Sequence, residues 1–170
     1  MSESVYIETS IAGYLTARPS NNLILMANAE ATRQWWDTRR TQFTLYISQV
    51  VLNEVARGDT EMATRRLEIL RNFPLLEVNQ AVQDLAALFL AKSNLPSKAA
   101  DDALHIAVAT IYGLDYLLTW NCKHIANAQI QKKLSQISNE AGYELPTICT
   151  PKIIRESGSP VNSLDRKSVV

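Results

Sequence analysis

Four short strand-like runs, rich in β-branched and aromatic residues at 5–11 and 43–47, extended after Pro74 at 75–78 and apolar at 116–119, are separated by longer stretches whose apolar residues recur at helical spacing. This alternation constrains the fold more than any other feature. Strands that pair in parallel need a crossover of a dozen residues or more, and a helix is the usual one. The pattern therefore predicts an α/β fold in three layers, α/β/α, around a central, mainly parallel sheet. In such sheets ligands bind outside the carboxyl ends of the strands. Helices are expected over 23–40, over a short piece carrying Val51, Leu52 and Val55, and over 61–71, 81–92, 98–112 and 122–134. Ser48 and Ser97 are placed to N-cap the helices that follow them, and Gly113 is placed to end one.

The 170 residues include only 5 Gly and 6 Pro and leave room for one core. A single domain is expected over 1–154, with a flexible tail over 155–170, where periodicity gives way to Gly158, Pro160 and scattered serines. With 17 Lys and Arg against 17 Asp and Glu the formal charge is +0. A general field that attracts polyanions is excluded, and any nucleic-acid contact must come from local patches. The candidates are Arg33, Arg39 and Arg40 beside Trp35 and Trp36, or Arg57 with Arg65, Arg66 and Arg71. The plain alternative is that the tryptophans pack in the core and the basic faces are simply solvated. Cys122 and Cys149 are too few for a disulfide scaffold and match no zinc spacing, which favours a reducing, cytoplasmic setting. No apolar run is long enough to cross a bilayer.

Three acidic positions stand beside apolar runs: Glu8, Glu54 and the doublet Asp101-Asp102. A carboxylate in such a place is expensive to desolvate unless it is paired, protonated or bound to a cation. One shared hard cation, Mg²⁺ or Mn²⁺, resolves all three, since oxygen ligands without nearby cysteine suit such ions. Each acid also has a plain reading. Glu8 can face water on an edge strand, Glu54 can pair with Arg57 or Lys98, and Asp101 and Asp102 can answer the helix dipole. His105 lies within reach of either acid along its helix. As a lone helical histidine it can equally be structural, and His124 can merely cover a strand end.

Taken in order, these segments resemble the PIN-domain family, particularly the VapC-like toxin ribonucleases. The matching stretches are Ile7-Glu8-Thr9-Ser10, then Ser48 through Glu54, then Asp102-Ala103-Leu104-His105-Ile106-Ala107, then Leu117-Leu118-Thr119-Trp120 with Asn121 and His124. The resemblance implies a metal-dependent endoribonuclease, the toxin of a type II toxin–antitoxin pair. It implies Mg²⁺ or Mn²⁺ held by Glu8, Glu54 and Asp102, and catalytic roles for these three with Asn121. Thr9, Ser10, Asp101, His105 and His124 fall to supporting positions around them. RNA as substrate, a small antitoxin protein as partner and a homodimer are implied as well.

Two departures from the family pattern matter. Glu8 stands where Asp is usual and reaches one methylene further. Asn121 stands where a fourth acid is usual, which removes a charge and predicts one firm cation site with a weak second. The alternative function is a catalytically weak PIN-fold module that binds nucleic acid or protein.

Overall fold

The computed structural model describes residues 2–154, so the tail expected over 155–170 lies outside the described residues. Five strands form one sheet in the order β3-β2-β1-β4-β5: β1 (Ser4–Ile7), β2 (Thr44–Ser48), β3 (Leu75–Leu76), β4 (Tyr116–Leu118) and β5 (Thr147–Cys149). All four strand pairings are parallel. Among the described residues seven α-helices flank the sheet in three layers: α1 (Thr9–Leu15), α2 (Leu23–Thr38), α3 (Gln49–Val55), α4 (Thr60–Leu70), α5 (Gln80–Lys92), α6 (Ala100–Ile111) and α7 (Ala128–Glu140).

The middle strand is the most buried. Val5, Tyr6 and Ile7 of β1 expose nothing, as expected of a parallel strand covered on both faces. Helix α6 behaves in the same way, with Ala103 and every residue from His105 to Thr110 buried. Its neighbour α5 contributes Val82, Leu85, Ala86 and Phe89 to the same core.

Four local expectations need correction. The first strand ends at Ile7, not at residue 11, although Thr9 and Ile11 are β-branched. The Glu8 N–H donates the last ladder bond, to Leu118 O at 3.1 Å, and the Glu8 carboxylate then accepts the Ser10 N–H and caps α1. Ser97 opens a single 3₁₀ turn, and α6 starts at Ala100 without a side-chain cap. The helix expected over 122–134 begins only at Ala128, where the Asn127 side chain accepts the Gln129 and Ile130 N–H groups. Before it the chain turns, held by the Ile125 and Ala126 N–H groups on Asn121 O. Finally, β5 has no counterpart in the sequence reading. Its three residues between Pro146 and Pro151 carry no periodicity, and only pairing with β4 makes them a strand.

Cys149 is buried on β5, and burial pushes its thiol up to about 11. Cys122 is exposed. The native protein is expected to react with one equivalent of a thiol reagent near neutral pH, and with a second only on unfolding. Two fast equivalents in the native state would contradict this burial.

Candidate active site

The carboxyl ends of β1, β2 and β4 open into one cleft, and each strand delivers polar side chains to it. Glu8 directly follows β1, the middle strand, and is 5% exposed, so it is not a solvent-facing edge residue. Its Oε2 accepts three hydrogen bonds: from Ser10 N at 3.1 Å, from the Ser10 hydroxyl, and from Thr119 Oγ1 at 2.7 Å. Each hydroxyl in turn accepts a backbone N–H, Ser10 Oγ from Trp120 at 2.8 Å and Thr119 Oγ1 from Asn121 at 2.9 Å. Two amide-to-hydroxyl-to-carboxylate chains thus converge on one oxygen and polarise each other. Among the described residues no hydrogen bond reaches the other oxygen, Oε1.

Glu54 shows the same division. Its Oε1 accepts Thr9 Oγ1 at 2.7 Å and is hydrogen-bonded to His105 Nε2, while among the described residues Oε2 has no such partner. Arg57 does not take this carboxylate and instead lies 3.5 Å from Asp101 at the exposed rim. His105 also departs from expectation. Its imidazole exposes nothing and turns from both aspartates of its own helix toward Glu54 and, through Nδ1, the Tyr6 hydroxyl at 2.7 Å. That hydroxyl sits 2.7 Å from Ser48 Oγ. Ser48 occupies the N-cap position of α3 but makes no cap bond.

Asp102 lies in the first turn of α6 and is held by the turn between β4 and α7. Its Oδ1 accepts Asn121 Nδ2 at 3.1 Å, and its Oδ2 accepts His124 Nδ1–H at 2.8 Å. Asn121 Oδ1 accepts the His124 N–H at 3.0 Å, which fixes the orientation of the amide. The Asn121 carbonyl is therefore already engaged by a backbone amide.

One ligand atom each from Glu8, Glu54 and His105 lie within 4.8 Å of one another. Asp102 stands outside that tight group, one turn before His105. Two carboxylates this close, each with one oxygen saturated by hydrogen bonds and one left over, suit a hard divalent cation. His105 already engages both ring nitrogens, so the oxygen set fits such an ion better than a nitrogen-rich one.

Burial pushes the Glu54 carboxyl up, but the His105 hydrogen bond and charge, Thr9 and Arg57 outweigh it and hold it below the usual carboxylate value. Burial pushes the His105 imidazole down, yet its bond to Glu54 and the charges of Glu8, Glu54 and Asp102 leave it above the usual histidine value. Burial also drives the Tyr6 hydroxyl far up, so it stays protonated. In cation-free buffer the raised histidine contributes stability that is complete below about pH 6.5 and lost as pH climbs through its folded value. The lowered Glu54 contributes stability present above about pH 4.3 and lost as pH falls through its folded value. With EDTA present, Tm is expected to decline as pH rises above neutrality, and less steeply in Glu54→Gln. Parallel slopes in the two proteins would show that the pair does not govern this limb.

The arginine candidates are mostly engaged elsewhere. Arg40 lies over the Trp36 ring at 5.1 Å, Arg65 pairs with Glu61 at 2.9 Å, and Arg66 donates to the carbonyls of Val55 and Arg57 that end α3. Trp35 is 3% exposed and belongs to the core. Arg57 is the candidate whose charge reaches the cleft. A cavity of about 420 Å³ lies at the other end of the sheet, beside Glu3, Asp115 and Tyr116, far from this chemistry. Sequence reasoning did not single out Tyr6, Ser48 or Thr119 as site residues. For Ser48 and Thr119 the available signal was a hydroxyl at or just past the end of an otherwise apolar strand, and for Tyr6 a hydroxyl within one.

A family model described as PIN domain matches residues 5–126. No curated protein matches the chain in sequence. Among solved structures, the chain is similar to Mycobacterium tuberculosis VapC20, described as a sarcin-ricin loop cleaving toxin, with a TM-score of 0.56 and 15% identity over 82% of this chain and 95% of that one. It is similar to a toxin–antitoxin complex from Klebsiella pneumoniae, at 0.57 and 18% identity over 86% and 97%. It is also similar to VapBC2 from Rickettsia felis bound to a promoter DNA fragment, at 0.54 and 14% identity over 86% and 98%. At these identities the likeness establishes the fold.

Proposed function

The chain belongs to the PIN-domain family, and from that membership we propose that it is a metal-dependent endoribonuclease, the toxin of a type II toxin–antitoxin pair. The observation that carries the reading is the meeting of Glu8 and Glu54, from different elements, with a hydrogen-bonded oxygen on each and, among the described residues, an unpartnered one.

When bound, a divalent cation at this point supplies a polarised water and neutralises charge on the phosphate oxygens. The chain's own residues do the rest. Glu8 and Glu54 provide the negative charge that holds the ion, and Asp102 adds a third carboxylate beside them. Thr9, Ser10 and Thr119 fix the carboxylates, so little reorganisation is left for the moment of reaction. Asn121 and His124 orient Asp102, and Asp101 holds Arg57 at the rim, where a guanidinium meets the RNA backbone. Hydrolysis joins a water oxygen to phosphorus, breaks one bridging P–O bond and passes a proton to the departing oxygen.

The protein partner is a small antitoxin, a reading supported by VapBC2 and by the toxin–antitoxin complex among the structural neighbours. Leu23 and Ile24 at the start of α2, 83% and 73% exposed, are available to such a partner or to a second copy in a homodimer. The PIN-like domain spans 1–154, because β5 closes the sheet beyond the matched region. Mg²⁺ or Mn²⁺ is the ion and the cytoplasm the setting. Among the described residues no helix is long and apolar enough to cross a membrane.

The weakly cleaving binding module has one observation in its favour. The Asn121 amide donates to Asp102 where a fourth acid would add charge, so the cleft is partly self-satisfied. The two readings separate on single-stranded RNA. Cleavage is expected with Mn²⁺ or Mg²⁺ and none with EDTA; RNA binding without cation-dependent cleavage would favour the binding module.

A further inference from the structure

Resting on the nuclease reading, we propose that Ser48, Tyr6 and His105 form a positioning chain that fixes Glu54 and presents its free oxygen to a divalent cation. All three side chains expose nothing. Polar groups in such places cost desolvation energy, whereas Ala, Phe or Leu would fill the same space without it. The polar atoms are nonetheless linked in series: Ser48 Oγ to Tyr6 OH at 2.7 Å, Tyr6 OH to His105 Nδ1 at 2.7 Å, and His105 Nε2 to Glu54 Oε1.

The chain runs from the end of β2 through the middle of β1 to α6 and ends on α3. Four elements of the fold therefore bear on one carboxylate. Tyr6 also packs edge-on against the imidazole, with ring centroids 5.7 Å apart at 62°, which limits the ring's rotation. With Oε1 held by His105 and by Thr9, Oε2 has a defined direction. Tyr6 and Ser48 make no hydrogen bond to a carboxylate among the described residues, so they are positioning residues and not ligands. Outer partners of this kind typically contribute 10–100-fold to metal affinity or activity.

The full chain and its Tyr6→Phe, Ser48→Ala, Glu54→Gln and Tyr6→Phe/Glu54→Gln variants, titrated with Mn²⁺ and separately with Mg²⁺ in a calorimeter and melted in EDTA, decide the matter. Tyr6→Phe is expected to weaken Mn²⁺ binding by about 10–100-fold, with Ser48→Ala acting in the same direction. In the Glu54→Gln background Tyr6→Phe is expected to add nothing, because it acts through Glu54. Wild-type Mn²⁺ affinity in both Tyr6→Phe and Ser48→Ala, whatever their Tm, overturns the proposal. So does an undiminished effect of Tyr6→Phe in the Glu54→Gln background. A loss seen for Mn²⁺ but not for Mg²⁺ also overturns it, since it would make His105 itself a nitrogen ligand. If Glu54→Gln binds Mn²⁺ as the wild type does, the cation reading of the cleft is the part that has failed, and the positioning role falls with it.

Discussion

Glu54→Gln is expected to reduce cation-dependent RNA cleavage by on the order of 10²–10³-fold while the protein stays folded. The substitution keeps the side chain's length and an oxygen acceptor for Thr9 and His105, and removes only the charge that holds the ion. Several kcal/mol of transition-state stabilisation attributed to a bound cation correspond to that range, at about 1.4 kcal/mol per tenfold. Glu54→Ala is the less clean variant, because it leaves the buried His105 without its carboxylate. Such unpaired burial is costly in its own right. Cleavage within tenfold of wild type in Glu54→Gln, with Mn²⁺ saturating and the protein folded at the assay temperature, would remove this carboxylate from the mechanism.

The second large effect concerns the missing acid. In Asn121→Asp a carboxylate oxygen replaces the Nδ2 that now lies 3.1 Å from Asp102 Oδ1, so a donor becomes a like charge. The His124 N–H still has an acceptor, which keeps the turn after β4 in place. Without cation the variant is expected to melt below the wild type, since two carboxylates at this spacing repel. With cation the order reverses. Mn²⁺ affinity is expected to rise about tenfold or more, about 1.4 kcal/mol, and the gain in Tm on adding Mn²⁺ to grow with it. Unchanged calorimetric affinity would show that position 121 does not limit the ion, and the expected weak second site would go.

Much of this arrangement was legible along the chain, for a local reason. Glu8, Glu54 and Asp102 interrupt apolar runs, and a charge in such a run needs a partner whatever the fold. Alternation of short β-forming runs with helical periods called for a parallel sheet, and its carboxyl ends mark where the partner must be. Element starts read less well where two local signals compete. Thr9-Ser10-Ile11 favours a strand by composition, but the Glu8 carboxylate caps Ser10 N–H and turns those residues into α1. At residues 121–127 helical spacing continues on paper, while the Asn121 carbonyl gathers two amides and delays α7 to Ala128.

The amino-acid order by itself determined the kind of fold and marked carboxylates that would need a partner, because apolar periodicity and the cost of a buried charge act within a few residues. It had no means of choosing between Asp101, Asp102 and Glu54 as the companion of His105, since helical spacing allows two of them and three-dimensional packing selected the third. Nor did it show that Tyr6 reaches the imidazole while Ser48 reaches the Tyr6 hydroxyl from the neighbouring strand, or that Asn121 and His124 occupy both oxygens of Asp102. Those pairings join segments far apart in the chain, and only when the β-ladders set the register do hydrogen-bonding atoms come within 3 Å or so of one another.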